Sequence, residues 1–341
     1  MFSQAMEKTV AELTAPTKGI LAADESAGTI EKRFKNIDVV STEEARRSYR
    51  ELLFTAPGLA DYISGVILFE ETLKQKSQAG IALPQVLAAQ GIVPGIKVDK
   101  GTQALANFPG DTVTHGLQGL AERLAGYKAL GARFAKWRAV ITIGDGLPST
   151  RAMEVNADGL ARYAAICQEL DIVPIVEPEV LMDGNHSIAR CASVTEEVLE
   201  TVFHALHRHR VQLEYMLLKP NMVLPGKDCP QQATAEEIAA ATLICFRRTV
   251  PAAVPGINFL SGGQSDEVAT ANLNAMNTYA QQQPWQLSFS YGRALQAPAL
   301  KAWHGIAANK GAAQQALLKR SRLNSAARQG KYAASMEAEM L

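Results

Sequence analysis

The chain has 341 residues, 47% hydrophobic and 20% charged, with 34 basic and 34 acidic side chains in balance. That neutrality excludes a broad electrostatic footprint for nucleic acid or an anionic membrane, and no stretch reaches the roughly 18 apolar residues of a membrane span. Cys167, Cys191, Cys229 and Cys245 form no C-x-x-C pair, and Met1 to Pro16 has neither a signal-peptide core nor a transit-peptide bias, so the reading is a cytoplasmic protein with reduced thiols.

In chain order, eight short apolar runs recur: Gly19–Asp24, Ile63–Phe69, Gly95–Asp99, Ala132–Arg138, Ile172–Glu177, Tyr215–Pro220, Ile257–Gly262 and Gln286–Tyr291. Near-continuous apolar runs are the mark of strands buried on both faces, as in parallel sheets. Helix signals fall between them. Ser41 with Glu44, and Thr234 with Glu237, have capping-box spacing. Thr195 can cap a helix through Glu196, Glu197 and Val198, which ends in His207, Arg208, His209 and Arg210, where cations suit the carbonyl end of the dipole. Further helices are expected after Leu117, Asn156, Asp266 and Ala297.

Eight strands alternating with helices allow a closed (β/α)₈ TIM barrel or an open doubly wound sheet. The first run is followed by no G-x-G-x-x-G fingerprint, and the chain has no P-loop, which favours the barrel. A barrel of this length runs as one domain, so residues 1–341 are read as a single (β/α)₈ domain. A short flexible C-terminal tail is expected from about residue 325.

Barrel enzymes carry their chemistry at the C-terminal ends of strands. Here those ends are polar: Asp24; Lys97 and Asp99; Lys136 and Arg138; Glu177 and Glu179; Lys219; Ser261-Gly262-Gly263; and Tyr291-Gly292-Arg293. Alternate residues share a face, so Lys97 with Asp99, Lys136 with Arg138, and Glu177 with Glu179 each point the same way. Such charges are costly to bury unless paired or functional. An ion-pair belt closing the barrel top is one reading of them.

Lys219 stands alone after Met216-Leu217-Leu218 and before Pro220. It is either a rim cation whose stem lies along the strand or a desolvated amine nucleophile. An apolar strand and a second cation both favour the free amine, and Lys136 is the candidate cation. Gly262-Gly263 and Gly292-Arg293 end the last two runs, where barrels commonly bind phosphate. The six histidines form no zinc pattern and the carboxylates form no calcium loop, so no metal and no other cofactor is expected.

The chain resembles the class I fructose-bisphosphate aldolases of the animal and plant type. The matching segments are GILAADES (19–26), GVILFEETL (65–73), GIKVDKG (95–101), FAKWR (134–138), ARYAAICQ (161–168), IVPIVEPE (172–179), LLKPNMV (217–223), FLSGGQS (259–265) and SYGRALQ (290–296), in one collinear order. The resemblance implies a (β/α)₈ barrel and a phosphosugar substrate cleaved without metal. It implies that Lys219 forms the Schiff base, that Glu177 is the acid/base for carbinolamine dehydration, and that Asp24 takes the C4 hydroxyl proton. Lys136 would stabilise charge beside the Schiff base, and Lys97 and Arg138 would bind substrate. Ser261, Gly262, Gly292 and Arg293 match a C1-phosphate site, Ser26 and Arg33 the C6-phosphate end, and Glu179 a supporting carboxylate. A homotetramer is implied by the family alone.

Two departures stand out. Position 29 is Thr where many relatives have Ser, and its hydroxyl can still donate to phosphate. The chain ends SMEAEML, whereas vertebrate members end in a tyrosine that assists proton exchange at C3; the last tyrosine here is Tyr332. Two other readings are a phosphosugar isomerase on the same barrel, with a carboxylate base and no covalent lysine, and a non-catalytic barrel that binds a partner.

Overall fold

The computed structural model describes residues 3–339. All eight runs become strands: β1 (Gly19–Ala23), β2 (Ile63–Leu68) and β3 (Val93–Lys97), then, past an antiparallel hairpin of β4 (Thr102–Ala104) and β5 (Thr112–Thr114), β6 (Phe134–Ile141), β7 (Val173–Val180), β8 (Leu217–Leu218), β9 (Gly256–Phe259) and β10 (Gln286–Tyr291). The eight pair in parallel in sequence order, and β1 closes on β10. The open-sheet alternative is thereby set aside. The register places Lys97 opposite Lys136 and Arg138 opposite Glu177, so the charges of the three strands are neighbours.

Strand alternation builds two cores. Outward side chains such as Leu21, Val66, Trp137 and Val176 pack under the helices. Inward ones, including Ile20, Val93, Phe134, Val173, Ile175 and Leu217, fill the N-terminal half of the barrel. Helix Gln4–Leu13 joins this inner cluster through Met6, Val10 and Leu13 and covers that end. Glycine makes room there: a Cβ at Gly95 would overlap the Phe134 ring, and one at Gly65 would lie 2.6 Å from Leu13.

Several boundaries differ from the sequence reading. β6 continues past Arg138 and β7 past Glu177, because Ala139, Ile141 and Val180 still find buried apolar neighbours. The sixth run contracts to two residues. Thr42, not Ser41, caps helix Glu43–Phe54, accepting from the Ala45 amide at 3.0 Å. Ser187 caps helix Ile188–Arg208, so Thr195 lies buried in mid-helix, where its hydroxyl accepts from Asn221 instead. Asn156 also falls inside a helix, Thr150–Glu169, and the helix expected after Ala297 begins earlier, at Arg293. The Thr234–Glu237 capping box is present. The stretch expected as a tail from about 325 is helical to Arg328, and beyond it Glu337 pairs with the buried Arg320 at 2.6 Å.

Candidate active site

The strand register carries the polar ends to one place. Asp24 follows β1, Lys97 ends β3, Lys136 and Arg138 lie in β6, Glu177 and Glu179 in β7, and Lys219 follows β8. Together with Ser26, Arg33, Ser261, Gly262, Gly292 and Arg293, they line one cleft of about 800 Å³. Every site residue named from sequence is among its walls.

At the centre, cations and carboxylates alternate. The Lys219 Nζ lies 3.2 Å from Glu177 Oε1, and Lys136 Nζ lies 3.1 Å from Glu177 Oε2 and 2.8 Å from Asp24 Oδ2. The Lys136–Glu177 contact is ionic and off the hydrogen-bond line, leaving Oε2 without a hydrogen-bond partner among the described residues. Lys136, Glu177 and Lys219 are almost wholly buried. Burial favours the neutral forms, but Lys136, then Lys219 and Lys97, outweigh it and hold the Asp24 carboxyl well below the usual range. Burial likewise works against the Lys136 ammonium, yet Asp24 and Glu177 raise its pKa further above the ordinary lysine value. Lys136 is therefore a fixed cation between two acids. Lys219 shares only one of those acids, Glu177.

Two further pairs flank this line. Lys97 bonds Asp99 at 2.6 Å, and Arg138 bonds Glu179 at 2.8 Å. Burial lifts the Glu179 carboxyl above its ordinary pKa even against Arg138.

The two ends of the cleft suit anions. At one, Gly262 takes a left-handed backbone (φ +54°) beside Ser261, and a Cβ at Gly263 would strike Met182. Arg293 opens helix Arg293–Trp303 behind Gly292 and donates to the carbonyls of Gly262 (2.9 Å) and Gln264 (2.8 Å). Helix-start amides and an arginine fork together bind phosphate oxygens well. At the other end, Ser26 and Thr29 bring their hydroxyls within 3.1 Å, and Arg33 stands a turn further along helix Ala27–Lys35.

The sequence reading missed three features. Ser290 is almost wholly buried in the cleft wall, and its hydroxyl has no partner among the described residues. Its alternation with the outward Phe289 and Tyr291 would have shown it facing inward. Glu25 lies in the wall with Arg33, Arg50 and Gln296 on its carboxylate, a grouping with no local signal. At the rim, Lys227 pairs with Asp183 across two loops. Tyr332 bonds Glu337 at 3.0 Å and is not among the cleft-lining residues. Among the described residues, no cluster of three or more His, Cys, Asp or Glu could hold a metal, and no helix is long and apolar enough to cross a membrane.

Comparison with known proteins agrees with this geometry. The family described as fructose-bisphosphate aldolase class-I matches residues 5–340. A probable fructose-bisphosphate aldolase class 1 of Xylella fastidiosa is 53% identical over 97% of this chain and 99% of its own length. The cytosolic fructose-bisphosphate aldolase 4 of Arabidopsis thaliana is 56% identical over 94% of this chain and 82% of its own. The solved structure of fructose-bisphosphate aldolase from Plasmodium falciparum superposes with a TM-score of 0.95 at 50% identity, covering 97% of this chain and 96% of that one.

Proposed function

The chain belongs to the class-I fructose-bisphosphate aldolase family, and from that premise we propose that Lys219 is the amine through which it cleaves fructose 1,6-bisphosphate. The reaction is the reversible split into dihydroxyacetone phosphate and glyceraldehyde 3-phosphate. In our reading the Lys219 amine attacks the C2 ketone, forming a carbinolamine. Glu177, 3.2 Å away, gives the proton with which water leaves, and an iminium results. Asp24 then takes the C4 hydroxyl proton and the C3–C4 bond breaks. The aldehyde departs, and the bonding pair moves into the iminium as an enamine. Protonation at C3 and hydrolysis return the ketone product and the free amine.

The remaining residues bind and orient. Lys136 stabilises charge between the two acids. Lys97 and Arg138 meet the sugar hydroxyls, with Glu179 anchoring Arg138, and the free Ser290 hydroxyl adds a donor. Ser261, Gly262, Gly292 and Arg293 take the C1 phosphate, and Ser26 and Arg33 the C6 phosphate. The same reading places the enzyme in the cytoplasm, in line with the cytosolic Arabidopsis relative, and takes the homotetramer from the family resemblance alone.

One observation carries the proposal: a buried lysine in contact with a carboxylate, which a second lysine links to another carboxylate. An isomerase would need only a base, and a binding barrel would need no buried amine. The test is intact mass and peptide mapping after incubation with dihydroxyacetone phosphate and borohydride in EDTA. A reduced adduct on Lys219, with loss of activity, is expected. No adduct, or one elsewhere in an enzyme that EDTA inactivates, would sink the reading.

A further inference from the structure

The Glu25 carboxylate carries an unusual load. Its Oε1 accepts from Arg33 and from Gln296 Nε2 (2.9 Å), and its Oε2 accepts from Arg50 Nη2 at 2.5 Å. Two guanidinium groups on one carboxylate leave one positive charge over. The Arg50 side chain is only 3% exposed, whereas that of Arg33 is 24% exposed and lines the cleft. The surplus charge therefore faces the cleft at Arg33. Among the described residues, Glu25 is the only hydrogen-bond partner of the Arg33 side chain, which leaves the rest of its fork for a ligand. Burial works against the Glu25 charge, but Arg50 and Arg33 outweigh it and keep the carboxylate ionised.

The same carboxylate reaches the other end of the site. Gln296 belongs to the helix that opens at Gly292 and Arg293, and its Nε2 also bonds the Ala22 carbonyl at 2.6 Å. Its Oε1 accepts from Arg50 at 3.2 Å. Glu25 thus fixes Arg33 relative to the helix start that faces the other phosphate. An arginine otherwise loses much side-chain freedom on gripping a ligand, and one already held loses less.

We propose that Glu25 is a positioning residue that sets the enzyme's preference for a bisphosphate over a monophosphate by holding Arg33 at a fixed distance from the Gly292–Arg293 helix start. The proposal rests on the assignment of Arg33 to the distal phosphate. Glu25 itself touches no substrate in this account.

The test compares kcat and KM for fructose 1,6-bisphosphate and fructose 1-phosphate in full-length wild type, Glu25→Gln, Arg33→Ala and the double variant. Glu25→Gln is expected to lower bisphosphate kcat/KM about tenfold, mainly through KM, with the fructose 1-phosphate value held within about twofold. In the Arg33→Ala background the same change should add almost nothing, because the two act as one unit. Glu25→Asp keeps the charge beside Arg50 but shortens the reach, and should shift the preference in the same direction if Glu25→Gln fails to fold. Equal loss for both substrates in the Glu25 variants would mean a general structural role and overturn the proposal. Unchanged preference in Arg33→Ala would instead remove Arg33 from the distal phosphate site, and the proposal would fall with that assignment.

Discussion

The two ends of the barrel are built from the same strands to opposite rules. On β6, Phe134 points inward near the N-terminal end, and two residues on the same face presents Lys136. On β7, Val173 and Ile175 give way to Glu177 and Glu179. The lower half is apolar at each of these positions and sealed by Leu13 of the N-terminal helix. The upper half holds charges in contact with their opposites. Buried charge is tolerated only when paired, and the loss of one partner is far costlier than the pair is helpful. The difference teaches a division of labour within single strands. The lower half stabilises the closed barrel, and the upper half spends that stability on charges placed for chemistry.

Removing the lower plug should give the largest stability effect in this comparison. Phe134→Ala deletes a fully buried ring from the inner cluster, and the expected loss is about 3–5 kcal/mol, read from chemical denaturation. A loss under about 1 kcal/mol would show that the lower half does not carry the barrel. The converse change, overfilling, should cost less. Gly95→Ala would drive a methyl into the same ring, at about 1–3 kcal/mol. In a Phe134→Leu background most of that cost should vanish, because the two changes share one space. A cost that persists there would place its origin in the backbone instead.

The lower half and the central acids were legible because both obey strand parity. Apolar runs of the right length gave all eight strands, and alternation within KVD, KWR and EPE put each charged pair on one face. Lys219 was legible as a lone cation in an apolar run, even though its strand shrank to two residues. Other features had no local signal. Glu25 meets Arg50 25 positions away, and Gln296 meets Glu25 across 271. The plugging helix Gln4–Leu13 has ordinary amphipathic spacing, and only the closed barrel gives its apolar face a destination. Thr195 and Ser41 misled for one reason: a hydroxyl before acidic residues fits a cap by spacing alone, while neighbouring structure decides where the helix starts.

The smallest effect probes the upper half directly, through the sign of a pH dependence. Burial raises the Glu179 carboxyl above its ordinary pKa, so its folded form prefers the proton. For a raised pKa, the favourable contribution is fully present below the unfolded value of about 4.3 and is lost as pH climbs through the folded value. Once ionised, Glu179 is therefore a net burden on the fold, kept for its hold on Arg138. Glu179→Gln removes the burden, so its Tm relative to wild type should rise as pH climbs from about 4 through the folded Glu179 value, and level off above it. The gain should be small, because Arg138 loses a charged partner while its side chain, 46% exposed, keeps contact with water. Activity should fall in the same variant as Arg138 loosens. A Tm difference that is flat across this range would mean that the Glu179 charge costs the fold nothing, and the contrast between a stabilising lower half and a strained upper half would fail at this residue.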